Sequence, residues 1–240
     1  MKDINHVTPE LLNDIDSVNQ LCVKLHVPAP PIVWVTAEVF GPDGTIEARY
    51  HEQARSWTRN FYNYLASALL PCTTAVDPGV VGFGAGSTYV TATNGAVRAS
   101  STYILAPEIN QPSALIGNSG SSYGLFVGTG TGACDFEGYA LGAMISNGSG
   151  SGQLAWIAPV DADPTYNSET KKWTKSFYRD FANNSGGTIT IGETGLYWHL
   201  KPSGSDDCFM TERNVPVTPY DVPDGRTARV TYTTEITFPA

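Results

Sequence analysis

From residues 8 to 25, Leu11, Ile15, Val18, Cys22 and Leu25 recur at alternating intervals of four and three. That spacing gathers them on one face of a helix. Thr8 stands where an N-cap oxygen is needed, Pro9 suits the first helical position, and Glu10 and Asp14 lie near the positive end of the helix. The two-heptad stripe admits two settings: a helix lying on its own domain, or an arm that docks on a neighbouring chain. Burying five such side chains does not by itself offset the entropy of ordering the segment, so the helix needs a partner surface. Val27-Pro28-Ala29-Pro30-Pro31 follows as a stiff extended connector. It divides the chain into an arm with its linker, 1–31, and a β domain, 32–240.

Strand patterns dominate thereafter. Ile32 to Phe40 is a strand, Gly41-Pro42-Asp43-Gly44 a turn, and Thr45 to Tyr50 the returning strand of a hairpin. A second helix is predicted over Ala54 to Leu70, with Trp57, Phe61, Leu65, Ala68 and Leu69 on its apolar face and Pro71 at its end. From Thr73 to Gly124 short strands such as Tyr89-Val90-Thr91 and Ala96 to Tyr103 alternate with loops. Leu125-Phe126-Val127 and Gln153 to Pro159 are further strands, and Tyr139 to Ile145 is a strand or a helical turn.

The chain is organised around Trp173 to Trp198. Trp173, Lys175, Phe177, Arg179 and Phe181 alternate with polar residues; Ile189 and Ile191 alternate with Thr188 and Thr190; Asn183-Asn184-Ser185-Gly186-Gly187 between them has turn chemistry. A hairpin pairing Phe181 with Ile189 sets Phe177 opposite Glu193 and leaves Phe177, Phe181, Ile189 and Ile191 on one apolar face. Cys208 to Val217 and Thr227 to Phe238 complete the sheets, the last with Ala228, Val230, Tyr232, Thr234, Ile236 and Phe238 on one face. The expected fold is mainly β: an antiparallel, jelly-roll-like β-sandwich with one packed helix and the N-terminal helical arm.

Charge narrows the partners. The 240 residues carry 14 Lys and Arg against 23 Asp and Glu, a net charge of -9 with no basic cluster, which argues against nucleic acid. Every apolar run falls short of the roughly 18 to 20 residues of a membrane span, and MKDINHVTPELLND has no signal-peptide core. The expectation is a protein made in the cytosol and bound to no membrane. Cys22, Cys72, Cys134 and Cys208 lie too far apart for a metal knuckle and are expected as free thiols.

Candidate chemistry is thin. Gly128-Thr129-Gly130-Thr131-Gly132-Ala133 has the form of a dinucleotide fingerprint, yet Cys134-Asp135-Phe136 is a poor helix start and no acid follows at the required distance. Gly120-Ser121-Ser122-Tyr123-Gly124 fits a nucleophile elbow in letters, but it follows a loop and precedes a strand. The acids Asp161, Asp163, Asp206 and Asp207 form no pair that sequence singles out for glycosidic chemistry, and the four histidines show no ligand spacing. No cofactor, metal or catalytic set is assigned, and the expected protein is not an enzyme.

Several stretches taken together are more specific. The strand at Ile32, the helix with Ser56, Asn60 and Phe61, the segment Val127-Gly128-Thr129-Gly130, Phe181 with Asn183, Ser185 and Gly186, the run from Ile189 through Ile191, Glu193, Gly195, Leu196 and Tyr197, and the closing VTYTTEITF strand occur in that order. The chain thereby resembles a group of structural proteins of tailed-bacteriophage particles. The matches spread from Ile32 to Phe238, leaving out the N-terminal helix and Thr73 to Ser122.

The resemblance implies a non-enzymatic virion component, in the capsid decoration, neck, tail or baseplate, that acts by association with other virion proteins, while the apolar stripe on its Pro-rich tether leads to the expectation of a homo-oligomer. It carries no catalytic residues. A buried carboxylate needs partners, so Glu193 is expected to cap backbone N–H groups or to pair with Arg179, Arg55 or Arg59. The alternative reading is a receptor- or carbohydrate-binding module using loops such as Tyr166 to Trp173 or Trp198 to Asp207.

Overall fold

The computed structural model describes residues 1–27, 29–54, 56–63, 83–84, 87–101, 123–200 and 207–238. The chain is mainly β and divides into two compact units built from interleaved segments. The first comprises Met1–Ala54, Ser146–Thr190 and Pro216–Ala240; the second comprises Arg55–Ile145 and Ile191–Val215. In chain order the elements are β1 (Lys2–Asn5), α1 (Pro9–Leu25), β2 (Ile32–Phe40), β3 (Ile46–Gln53), β4 (Phe83–Gly84), β5 (Ser87–Thr91), β6 (Val97–Ser101) and β7 (Gly124–Gly128). There follow β8 (Ala155–Trp156), β9 (Val160–Asp161), β10 (Thr165–Asn167), β11 (Lys172–Ala182), β12 (Ile189–Ile191), β13 (Glu193–Leu200), β14 (Asp207–Asn214), β15 (Tyr220–Val222) and β16 (Thr227–Thr237).

The first unit is dominated by an eight-stranded sheet in the order β1-β3-β2-β16-β11-β10, with β8 and β9 also pairing to β11. Its pairs are antiparallel except β1 with β3, which is parallel, so the sheet is mixed rather than wholly antiparallel. Alternation decides which face is inside. Val33, Val35, Ala37 and Val39 of β2, Phe177 and Phe181 of β11, and Ala228, Val230 and Tyr232 of β16 are buried. The opposite face carries cross-strand ion pairs, Glu38 with Arg49 and Asp180 with Arg229, and Arg229 lies 4.0 Å from the Tyr178 ring centroid.

The expected hairpin of Phe181 with Ile189 does not form. β11 instead pairs over its whole length with β16, from Lys172↔Thr237 to Ala182↔Thr227, so Phe177 faces Tyr232 and Phe181 faces Ala228. Both strands have eleven residues with matching alternation, whereas β12 has three. A full-length ladder satisfies more backbone groups than the local turn offers. The turn residues still act as a corner: buried Asn183 donates from Nδ2 to the Gly187 and Val222 carbonyls, and Gly225 N–H donates to the Asn183 carbonyl. β12 pairs with β15, whose Tyr220 ring meets Tyr50 of β3 at 5.1 Å.

α1 spans the predicted residues. Thr8 is the N-cap, its Oγ1 accepting from Leu11 N–H at 3.2 Å, Pro9 opens the first turn, and His26 closes the helix in the left-handed region at φ 55°. No residue of α1 is buried; Leu11, Ile15 and Cys22 are half-buried, while Val18 and Leu25 are exposed.

The second unit holds two three-stranded sheets, β14-β13-β7 and β4-β5-β6, with Val90, Ala92 and Phe209 clustered in its core. The helix predicted from Ala54 starts later. Arg213 N–H donates to the Ser56 carbonyl, Thr58 N–H donates to the Thr211 carbonyl, and Trp57 bridges Glu212, so 56–58 runs as an extended addition to β14. Among the described residues of this stretch 59–63 is helical, with the Thr58 carbonyl accepting from Phe61 N–H; the remainder, with Leu65, Ala68 and Leu69, lies outside the described residues. Tyr139 to Ile145 is irregular, touching β7 through a Gly128↔Met144 bridge, and the strand expected from Gln153 shrinks to β8.

Candidate functional site

A polar constellation of the second unit surrounds Glu193, the first residue of β13, which pairs with Gly128 at the end of β7. Its carboxylate is fully buried. Oε1 accepts from Ala143 N–H at 2.7 Å and from Gly130 N–H at 3.2 Å; Oε2 accepts from Gly142 N–H at 3.1 Å and from Arg213 Nε at 2.8 Å, with Arg213 Nη2 at 2.7 Å. Arg213 also donates from Nη1 to the Ala133 carbonyl at 3.0 Å. The charge taken out of water is therefore met by a guanidinium and three backbone donors, the condition under which a buried ion pair is tolerated.

The cradle is shaped by missing side chains. A Cβ on Gly128 would lie 2.5 Å from Glu193 Oε1, one on Gly130 would meet the same oxygen still closer, and one on Gly192 would lie 2.7 Å from the Gly130 carbonyl. These are steric requirements for glycine. The Gly-Thr-Gly stretch is the strand-end turn its failed fingerprint leaves: Gly130 N–H donates to the protein's own carboxylate, and no helix follows. With five donors on its two oxygens and no exposed surface, this carboxylate is arranged to lock a loop to a sheet and has no room to meet a substrate.

The rest of the E-x-G-L-Y run serves the same loop. A Cβ on Gly195 would come within 2.8 Å of Leu141 Cδ2, and the Tyr197 hydroxyl accepts from Leu141 N–H at 2.7 Å. Burial raises the Tyr197 phenol from its ordinary value of 10.0 to about 12. At the helical turn, Asn60 donates from Nδ2 to the Thr91 and Met210 carbonyls and accepts from Thr91 N–H, tying 59–63 to β5 and β14. Trp57 stacks on Phe61 with ring centroids 3.9 Å apart.

The structure buries Phe61, Phe177, Phe181, Ile189, Ile191 and Glu193, and leaves Trp57 half-buried. The arginine partner of Glu193 is Arg213, not those expected. Arg179 is buried in the first unit, its Nε donating to the Ile157 carbonyl and its guanidinium 5.0 Å from the Trp156 ring centroid, with its pKa lowered by burial to about 10. Arg59 pairs with Glu137, and Arg55 lies outside the described residues. Sequence reasoning missed Arg213, Gly142 and Ala143. Every residue from Cys208 to Asn214 is buried, so no alternation marked Arg213.

Cys22, Cys134 and Cys208 carry free thiols, while Cys72 and the Gly120-Ser121-Ser122 portion of the elbow-like motif lie outside the described residues. Asp161 forms an ion pair with Lys175. Among the described residues, no group of three or more His, Cys, Asp or Glu side chains is placed to hold a metal ion, and no helix is long and apolar enough to cross a membrane.

Aromatic side chains reach the surface of the first unit at the β10 edge. Tyr166 is directly opposite Trp173, which is directly opposite Ile236, and the Tyr166 and Phe238 rings meet edge-on at 6.5 Å. Tyr166 is 53% exposed, Trp173 38% and Phe238 41%. A shallow, open depression of about 520 Å³ beside them is lined by Thr165 to Glu169. No protein-family model matches the chain, and neither a curated protein nor a solved structure matches it.

Proposed function

We propose that this chain is a non-enzymatic structural component of a tailed-bacteriophage particle, a capsid-decoration or neck- or tail-associated protein made in the host cytoplasm. It acts by association with other virion proteins and with copies of itself. The observation that carries the reading is the meeting of two motif segments in one interior contact: Gly130 N–H donates to the Glu193 carboxylate, and Gly128 and Gly130 leave it room. Residues that bring about the phage-protein resemblance are thus residues that fix a fold, as expected of a protein whose work is to present surfaces.

The finer fold assignment, a jelly-roll-like β-sandwich, belongs to the same proposal. It is supported by the Tyr50–Tyr220 ring contact, which lays the β12–β15 ribbon against the large sheet. The association arm is α1, whose Val18, Leu21 and Leu25 are 46%, 54% and 61% exposed along a capped, regular helix. Such a stripe is stabilised when a partner covers it. The test is mass spectrometry of purified phage particles carrying this gene product. Recovery at fixed, multiple copies per particle supports the proposal; absence from intact particles while the protein accumulates in the lysate overturns it.

A second reading, a receptor- or carbohydrate-binding module of the virion, is favoured by the exposed aromatic row at the β10 edge.

A further inference from the structure

Tyr166, Trp173 and Ile236 occupy matched positions on three adjacent strands and therefore share one face of the sheet, the face that buries Phe177 and Tyr232 further along β11 and β16. At this end the rings are uncovered. Three aromatic side chains about half exposed present on the order of 300 Å² of ring surface. A stable protein partner covers about 800 Å² on each side, so the row is small for a folded partner. It matches a few sugar rings, whose C–H faces stack on aromatic planes while their hydroxyls need hydrogen-bonding groups at the rim. The depression beside the row is lined in part by Ser168 and Glu169, a hydroxyl and a carboxylate of the kind such a rim needs.

The rim is built rather than accidental. Asn167 Oδ1 accepts from Glu169 N–H at 2.9 Å and Thr170 N–H at 3.1 Å, and Lys171 adopts φ 54°, so the β10–β11 connection is a tight turn that holds Ser168 and Glu169 beside the row. Phe238 N–H donates to the Lys171 carbonyl at 2.9 Å and fastens the last ring to the same turn.

We propose that the Tyr166, Trp173 and Phe238 row is a glycan-binding platform, taking a short run of pyranose rings with Glu169 accepting from sugar hydroxyls. The inference rests on the second reading above and adds to it a place and a ligand class. The test is an array of cello-, chito- and xylo-oligosaccharides and bacterial O-antigen polysaccharides probed with the full chain, followed by titration of the best binder by tryptophan fluorescence. The expected result is saturable binding that weakens at least tenfold in Tyr166→Ala and in Glu169→Gln, with melting temperatures unchanged because both side chains are exposed. Binding that survives both substitutions overturns this surface and leaves the receptor reading standing. Retention of no array component overturns the glycan platform and the carbohydrate form of the second reading, leaving a non-glycan receptor. Self-association that Tyr166→Ala abolishes, without glycan binding, makes the row an interface between copies and overturns the proposal.

Discussion

Arg213 places Nε and Nη2 on one oxygen of Glu193, at 2.8 and 2.7 Å, while its remaining nitrogen holds the Ala133 carbonyl. One side chain thus joins β14, β13 and the loop after β7. Removing either partner leaves a buried charge alone. Glu193→Ala is expected to destabilise the protein by about 3–5 kcal/mol in urea unfolding. The double variant with Arg213→Ala should be less damaging than the sum of the single changes, with coupling on the order of 1–3 kcal/mol. Additive losses would show that the two residues do not act as a pair.

The glycine cradle predicts a contrast between neighbours. Gly130→Ala drives a methyl group into the Glu193 carboxylate and should cost about 1–3 kcal/mol. Gly132→Ala meets nothing within 4 Å and should stay within about 0.5 kcal/mol of the parent. Thermal melts of the two variants side by side check this.

Tyr197 gives a pH window. Its phenol titrates near 10 when exposed and near 12 in the fold. The folded state therefore keeps its proton after the unfolded chain has lost it. The associated stability is fully present below pH 10 and is lost as the pH rises from about 10 to about 12. Tyr197→Phe should remove this component of the alkaline decline. It should also lower stability at neutral pH by about 1–3 kcal/mol, because Leu141 N–H loses its acceptor. Denaturation curves across that range report both effects.

Asn183→Ala strips the donors to the Gly187 and Val222 carbonyls and the acceptor for Ser185 N–H. A loss of about 2–3 kcal/mol is expected, together with faster amide exchange at Gly225 and Arg226, read by hydrogen-exchange mass spectrometry.

α1 separates association from folding. Val18→Glu with Leu25→Glu changes exposed positions, so the melting temperature should stay unchanged while the mass by light scattering falls to that of one chain. An unchanged mass, whether one chain or several, would remove self-association through this stripe from the proposal.

Local chemistry alone determined a good part of this protein. The capped helix from Pro9, the β2–β3 hairpin around Gly44 and the alternation of β11 and β16 were all legible, because each depends on neighbours within a few residues or on a period of two. The need of Glu193 for backbone donors was legible too, since an unpartnered carboxylate inside a sheet is costly whatever the fold. Which strand lies beside β11 was not. The Asn183-to-Gly187 turn suggests a local partner, and only the finished sheet shows that β16, 45 residues beyond the end of β11, pairs along its full length. The arginine beside Glu193 was likewise decided by tertiary structure. Arg213 sits on a strand buried at every position from Cys208 to Asn214, where alternation carries no signal, and the loop donors at Gly142 and Ala143 come from a segment without a regular pattern. Period and capping act along the chain and can be read from it, whereas the choice among compatible partners is made by long-range pairing, which depends on the length and register of strands that meet only after folding.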